Sequence, residues 1–398
     1  MTVPSLTPMQ RQYQALKLRV SDAILFFRLG DFYEMFGDDA AEASKILEIT
    51  LTSRNKNAEN PEPMCGIPHH AAENYLAKLI KAGKKVAIAE QVSDPTAPGL
   101  TERDIVKIIT PGTTFSENIL ETKKSNYLAG FFGDSSFSLA LCEVSTGDIF
   151  VIKRDTFEEI FAEIQKFRPA EVVFSPEQFT VFSKPFSALR IALSRQFLPK
   201  NPSQFTSEFF GVQTLKAFGI HEEQSSIAAC ALLLLFLQET QKSSLSYLFG
   251  IRKYDDSERL PMDIQTLKNL EIFQGSNGDE NASLLSLLDE TETAMGGRFL
   301  RNTMLAPLKK EDDILRRIAG VAELAENSSL LSSIQKCLKN TGDMERIIAR
   351  LSTGRGTPRD LVALKKSLLA IQELSAILKN STSPVLQELQ KELEEEFL

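Results

Sequence analysis

Tryptophan is absent from the 398 residues, histidine occurs three times and cysteine four. The cysteines, Cys65, Cys142, Cys230 and Cys337, lie far apart with no Cys-x-x-Cys pair. That argues against a zinc site or a disulfide framework and suits a reducing cytosol. His69 and His70 adjoin, but no third His, Cys or carboxylate stands at ligand spacing, so a structural turn after Pro68 is expected there and no metal. The longest apolar run, 227–237, has 11 residues and reads as a buried helix, too short for a bilayer span. No basic flank precedes an apolar segment at the N-terminus, so no secretory signal is expected. No short-period repeat or low-complexity tract is visible. Positive charge is scarce as well. With 45 Lys+Arg against 53 Asp+Glu the net charge is −8, which is not the usual footprint of a nucleic-acid binder. Residues 1–125 hold 15 Lys+Arg and 16 Asp+Glu, a net of −1. Composition alone suggests an enzyme; any DNA contact must rest on localised cations or a second subunit.

What is present is ordinary globular protein, 42% hydrophobic and 25% charged, long enough for two or three domains with their own cores. Thr7-Pro8-Met9-Gln10 combines a cap, a first-turn proline and capping-box spacing, and Met9, Tyr13, Leu16 and Val20 share one helical face. A helix is expected over Asp38 to Leu47, a polar loop over Asn55 to Pro63 and an extended segment over Met64 to His70. A helix from Ala71 to Ala82 then precedes strands at Lys85 to Val92 and Asp104 to Thr110. This is a small mixed α/β domain, 1–115, followed by a polar linker, 116–126. Strands around the turn Ser145-Thr146-Gly147-Asp148, a helix from Phe157 to Phe167 and a strand from Ala170 to Phe174 open a second α/β domain, 127–255. Long helices rich in Leu, Glu, Lys and Arg fill 256–398, with a break at Gly275 to Asn281. The acidic run Glu392 to Glu396 reads as a solvated helix face.

The most informative stretch is Arg28-Leu29-Gly30-Asp31-Phe32-Tyr33-Glu34-Met35-Phe36. The apolar run 23–29 reads as a buried strand, Gly30-Asp31 as a turn, and Phe32 to Phe36 as the returning strand. Side chains two apart share a face, so Phe32 and Glu34 are presented together. Taken alone, Phe32 would pass for core and Glu34 for a solvated partner of Arg28. Gly30 to Phe36, however, resembles the signature of the MutS family of DNA mismatch-recognition proteins. Collinear stretches extend the resemblance: Leu51-Thr52-Ser53-Arg54, Met64 to His70, Glu73 to Leu79, Ala89-Glu90-Gln91, Asp94-Pro95, Thr110 to Thr113, Ser145-Thr146-Gly147, Leu287-Leu288-Asp289, Thr293 to Arg298 and Pro358 to Leu361.

The resemblance implies a mismatch-recognition domain, a ribonuclease-H-like connector domain and the start of a helical core domain, cut before the clamp and ATPase domains. It implies that Phe32 stacks on a mispaired base from the minor groove, that Glu34 hydrogen-bonds that base, and that the duplex kinks there. Leu29 and Met64 either line the same groove or belong to the core, and Arg54, Lys56 and Lys107 are candidates for phosphate contacts. The implied partners are double-stranded DNA with mismatches or small insertion/deletion loops, a MutS homodimer partner and a MutL-type repair factor, in a bacterial cytosol. ATP and Mg belong to full-length relatives. This chain has no Gly-x-x-x-x-Gly-Lys-Ser/Thr phosphate loop, so no catalytic residue, cofactor or metal is expected in it, and the main dimer contacts of relatives fall outside it. Relatives commonly carry Trp where this chain has Thr303, with Met304 and Leu305 available to fill the space. Two rival readings are a metal-dependent nucleic-acid hydrolase built on Asp134, Glu143 and Asp148, and a MutS-like paralogue that binds branched DNA. The first lacks the clustered carboxylates of two-metal catalysis; the second is disfavoured by Phe32 and Glu34.

Overall fold

A computed structural model describes residues 7–54, 61–93, 101–242 and 244–395. The first helix, α1 (Pro8–Arg19), opens with the capping box read from sequence: the Thr7 hydroxyl accepts from the Gln10 N–H and the Gln10 side chain accepts from the Thr7 N–H. Strands β1 (Ile24–Leu29), β2 (Phe32–Phe36), β3 (Thr52–Arg54), β4 (Glu62–Pro68), β5 (Val86–Gln91) and β6 (Arg103–Ile109) form one sheet in the order β3-β4-β2-β1-β5-β6. Its pairings are antiparallel except β1 with β5, which is parallel. Helices α2 (Gly37–Leu47) and α3 (Ala72–Lys81) cover one face over Ile24, Phe26, Tyr33 and Met35. Helix α1 covers the other, over Leu25, Phe27 and Phe36. Both faces are therefore buried along β1, which explains its unbroken apolar run. The extended segment expected from Met64 begins at Glu62, and the three-residue β3 is too short to show an alternation in sequence. Residues 55–60 of the expected loop lie outside the described residues.

Asp39 is the polar pin of this unit. Buried at the start of α2, it accepts hydrogen bonds from the Leu25 N–H (3.0 Å), the Tyr13 hydroxyl (3.2 Å) and the Lys17 ammonium (2.8 Å). One carboxylate thus ties α1, β1 and α2 together, and its desolvation is offset by three donors.

The second sheet holds β7 (Tyr127–Gly133), β8 (Phe137–Glu143), β9 (Asp148–Arg154), β10 (Glu171–Phe174), β11 (Ala192–Arg195) and β12 (Arg252–Lys253) in the order β11-β10-β7-β8-β9-β12. Helices α4 (Phe157–Phe167), α5 (Pro176–Ser187), α6 (Pro202–Phe210) and α7 (Gln224–Gln241) pack on it. The apolar run 227–237 is the middle of α7 and is buried nearly all round. It approaches β7 so closely that a Cβ at Gly130 would lie 2.3 Å from the Ala229 carbonyl oxygen, so only glycine fits. The chain has no Trp but 26 Phe, and several of them build the opposite core: Phe131 contacts the rings of Phe174, Phe182 and Phe186 at centroid distances of 5.3, 5.3 and 5.4 Å.

The remainder is helical: α8 (Ile264–Asn269), α9 (Leu284–Leu288), α10 (Ala294–Leu305), α11 (Glu311–Glu326), α12 (Ser328–Lys339), α13 (Met344–Ser352), α14 (Pro358–Leu378) and α15 (Pro384–Glu395). The expected break at Gly275 to Asn281 is a turn with Gly278 at φ +82°. Glu392, Glu394 and Glu395 lie on the exposed side of α15. On α10, Leu305 is buried and Met304 packs beside it against Leu267 and Ile272, while Thr303 lines a solvent-open cleft of about 200 Å³ with Tyr127, Phe150 and Tyr254. No helix among the described residues is long and apolar enough to cross a membrane.

The polar stretch 116–126 contains no helix or strand, yet it is held along its length. Arg298 donates to the Thr122 carbonyl (3.1 Å), and Arg346 to those of Glu121 (3.2 Å) and Lys124 (3.0 Å). Lys123 pairs with Asp289 at 2.9 Å and Lys124 with Glu280 at 2.6 Å. A strap, clasped by the helical region, joins the two sheets.

Candidate nucleic-acid interface

Gly30, at φ +58°, makes the turn that returns β1 into β2. Leu29 then lies opposite Phe32, and Phe27 opposite Glu34. On its other side β2 pairs with β4, placing Pro68 beside Phe32, Gly66 beside Glu34 and Met64 beside Phe36. The pleat sends Tyr33 and Met35 into the core under α2 and α3. Phe32, Glu34, Leu29 and Met64 therefore share the α1 face of the sheet, past the stretch that α1 covers. Phe32 is 48% exposed, an aromatic ring held on a rigid strand and left out of either core. Leu29 and Met64 are half-buried and pack against the core beneath α1, so their apolar bodies support the face that Phe32 crowns.

Gly66 was not singled out by sequence. A Cβ there would sit 3.6 Å from the Glu34 Cγ and 3.9 Å from a Phe32 ring carbon, so its hydrogen leaves the flank of both side chains uncovered. Arg103 was also missed. It lies on the same face with its guanidinium 5.0 Å from the Phe27 ring centroid, donating to the Arg28 carbonyl (2.5 Å), the Thr101 carbonyl (2.9 Å) and Gln12 (3.1 Å). Burial lowers its pKa, though it stays a cation at any physiological pH. An irregularity in the β5–β6 register follows it on β6, between Ile105 and Lys107, which no periodicity argument predicts.

Arg28 is committed elsewhere. It stands opposite Tyr33, its guanidinium 5.6 Å from that ring and 3.9 Å from the Glu90 carboxylate. The Tyr33 hydroxyl also donates to Glu90, and burial together with that carboxylate pushes its pKa up to about 12. Arg28 and Glu34 thus belong to opposite faces of the hairpin.

The candidate phosphate contacts separate. Arg54 closes β3 opposite Glu62 in register; its side chain, and all of Lys56, lie outside the described residues. Lys107 pairs with Ile88 in register, on the α2–α3 face, so the structure does not bring it together with Phe32. It is half-buried, and burial first, then the nearby Arg355, lower its pKa to about 8 against the opposing pull of Glu73.

The carboxylates of the second sheet do not assemble either. Glu143 and Asp148 are cross-strand neighbours at one end of the β8–β9 pair, whereas Asp134 follows β7 at the other end of that strand. Asp148 pairs with Arg252 at 3.1 Å. Glu143 is buried, accepts from the Asn126 N–H and the Ser145 hydroxyl, and has its pKa raised by burial against the opposing Ser145 and Arg346. It anchors the end of the strap. No group of three or more His, Cys, Asp and Glu among the described residues could hold a metal ion. His69 and His70 fall in a short turn after Pro68, with the His69 N–H donating to the Asp31 carbonyl at 2.8 Å.

Comparison with known proteins follows this division of the chain. The family model for MutS domain I matches residues 7–118, that for MutS domain II residues 126–248 and that for MutS domain III residues 265–398. The chain is 38% identical over 399 residues to the DNA mismatch repair protein MutS of Alkaliphilus oremlandii (strain OhILAs), covering 96% of this chain and 45% of the relative. It is 37% identical to that of Desulfatibacillum aliphaticivorans (97% and 45%) and 36% identical to that of Myxococcus xanthus (strain DK1622; 97% and 44%). The chain thus spans less than half the length of these relatives. With three successive domain models matched over both sheets and the helical region, the chain belongs to the MutS family.

Proposed function

We propose that this chain recognises mismatched or unpaired bases in duplex DNA, with Phe32 entering from the minor groove and Glu34 hydrogen-bonding the displaced base. The observation that carries this reading is the half-exposed Phe32 ring beside Glu34 on a strand whose neighbours hold it rigidly, flanked by the side-chain-free Gly66. A mismatch has already lost stacking and pairing, so kinking the duplex there is cheaper than kinking matched DNA. An apolar ring that unstacks the step brings more protein onto the backbone. Recognition then measures deformability. Glu34 sharpens it, because a carboxylate near phosphates is repulsive unless a base donor or a proton meets it.

The second sheet is read as ribonuclease-H-like. Three antiparallel strands, β7 to β9, extended beyond β7 by the parallel β10 and β11, support that assignment. It is a scaffold in this reading, since fold does not carry function and its carboxylates are committed as described. ATP binding, a homodimer and a MutL-type partner are properties proposed for the longer relatives' architecture. No phosphate loop occurs among these 398 residues, and no step of recognition by the hairpin requires one.

The test is the affinity of wild type and Phe32→Ala for matched and mismatched duplexes at one fixed salt concentration, since salt alone moves such constants strongly. Wild type should prefer the mismatch and Phe32→Ala should bind both alike. A mutant that keeps its preference makes Phe32 a packing residue and removes the wedge.

A further inference from the structure

Where the end of α4 meets α8 and α10, a narrow cleft of about 80 Å³ opens between the second sheet's layer and the helical region. Lys166, Arg168, Lys268 and Arg301 line it, together with the amides of Gln165 and Asn302. A second cleft shares Arg168 and Lys268 with it and adds Arg190. The two clefts together are lined by five cations and by no acidic side chain, in a chain whose Asp+Glu outnumber its Lys+Arg by 53 to 45. Among the described residues none of the five lies within ion-pair distance of a carboxylate, whereas the strap's Lys123 and Lys124, close by, both do. The nearest acidic influences are Glu163 on Lys166 and Glu280 and Glu121 on Arg301, and burial outweighs them, lowering the pKa of both cations.

Two details bear on how these side chains are held. Arg168 caps α4 in the left-handed region, at φ +46° and ψ 61°, and Arg190 stands at φ +58°. Glycine is the residue that such positions favour, and a side chain there costs conformational energy. Arg301 is fixed in the cleft by stacking on Phe273, its guanidinium 4.5 Å from the ring centroid. Part of the cation density has a simpler use, since positive charge at the C-terminal end of α4 complements the helix dipole. The same holds for Lys268 in the last turn of α8, so the dipole accounts for Lys166, Arg168 and Lys268 but not for Arg190, beyond the end of α5, or for Arg301 within α10.

We propose that this cleft binds a small, multiply charged phosphate-bearing anion, with Arg168 and Lys268 as its principal ligands and Lys166 and Arg301 completing the cradle. The donor set of guanidinium forks, ammonium groups and amides is that of a phosphate site. Bound there, the anion would bridge the α4 layer to α8 and α10. The site is separate from the Phe32 face and independent of what that face binds.

The experiment is calorimetric titration of the 398-residue protein with pyrophosphate, orthophosphate and adenosine monophosphate at low salt, repeated on Arg168→Gly and on Arg168→Gly/Lys268→Ala. Pyrophosphate should bind one to one. Arg168→Gly should weaken it about tenfold or more, the loss expected for one hydrogen bond to a charged group, and the double variant further. Because glycine relieves the left-handed strain, the thermal midpoint of Arg168→Gly should not fall, which separates a ligand role from a structural one. Tighter binding of the nucleotide than of orthophosphate would identify an organic phosphate, and equal binding an inorganic one. No saturation at about 1 mM pyrophosphate, equal affinity in the double variant, or displacement of pyrophosphate by short duplex DNA would overturn the proposal.

Discussion

The Phe32 hairpin and the strap 116–126 differ in what holds them. The hairpin is regular backbone on a two-sided core, and its informative side chain makes little use of that core, standing nearly half in solvent. The strap is irregular backbone with few apolar side chains, and it is held from outside by Arg298 and Arg346, both only about 5% exposed. Truncation at the hairpin should alter binding while sparing stability; truncation at the strap should do the reverse. A ring exposed at high order is poised for a partner, whereas a buried guanidinium that caps carbonyls is committed to the fold.

The largest expected effect is at the strap. Arg298 donates to Asp343 and Glu345 as well as to the Thr122 carbonyl. Arg298→Ala removes the buried guanidinium from the half-exposed Glu345 and from Asp343, which keeps Arg346 at 3.8 Å, so the cost should fall near the lower end for a buried pair, about 3 kcal/mol. Denaturant unfolding of the full chain measures it, and a loss below about 1 kcal/mol would mean that water replaces the guanidinium. Arg298→Lys should recover only part of the loss, because an ammonium cannot reproduce the forked geometry.

Next comes Phe32→Ala, which should lower mismatch discrimination by about 1–3 kcal/mol, the worth of base–aromatic stacking. In the same protein the unfolding free energy should move by no more than about 0.5 kcal/mol, as for an ordinary surface change. A large stability loss would erase the contrast with the strap. Glu34→Gln should bind matched duplex more tightly than wild type and discriminate less, because an amide no longer repels phosphates. Weaker binding of matched DNA by that variant would count against the role assigned to the carboxylate.

Lys107 supplies a pH test of the face turned away from Phe32. Its pKa falls from 10.5 to about 8 in the folded protein. Below that value the lysine is protonated in both states and its buried charge lowers stability in full. Between about 8 and 10.5 the folded state releases a proton that the unfolded state still holds, so this contribution makes stability rise with pH. Lys107→Met should therefore stabilise the protein at pH 7, and the gain should vanish towards pH 10.5. A gain that persists unchanged at the higher pH would show that packing, and not charge, is responsible. The smallest effect is expected at Gly66→Ala. The added methyl meets ordinary contacts at 3.5–3.9 Å, so stability should stay within about 0.5 kcal/mol while mismatch binding weakens through the covered flank. Unchanged binding would remove Gly66 from the interface.

Much of this was legible because it is local. The capping box at Thr7 and Gln10, the Gly30 turn, the face shared by Phe32 and Glu34, and the burial of α7 follow from spacings of two to four residues, where backbone periodicity dictates direction. The short β3 was not, since three residues carry no period. Neither was the Asp39 pin, whose donors come from Tyr13, Lys17 and Leu25. The strap's composition suggested a linker, and the segment forms no regular element; its capture depends on arginines more than 170 residues away.

By itself, the sequence determined the longer, periodic strands and helices, which family the chain belongs to, and that an aromatic ring and a carboxylate share one strand face. Only the tertiary structure decided that Lys107 stands on the opposite face from Phe32, that Gly66 and Arg103 join the Phe32 face, and that cations from α4, α8 and α10 converge on one cleft. The physical reason is range. Backbone sterics and pleating act over a few residues and are written into spacing. Charge, burial and packing act between whatever the fold brings within a few ångströms, whatever their distance along the chain.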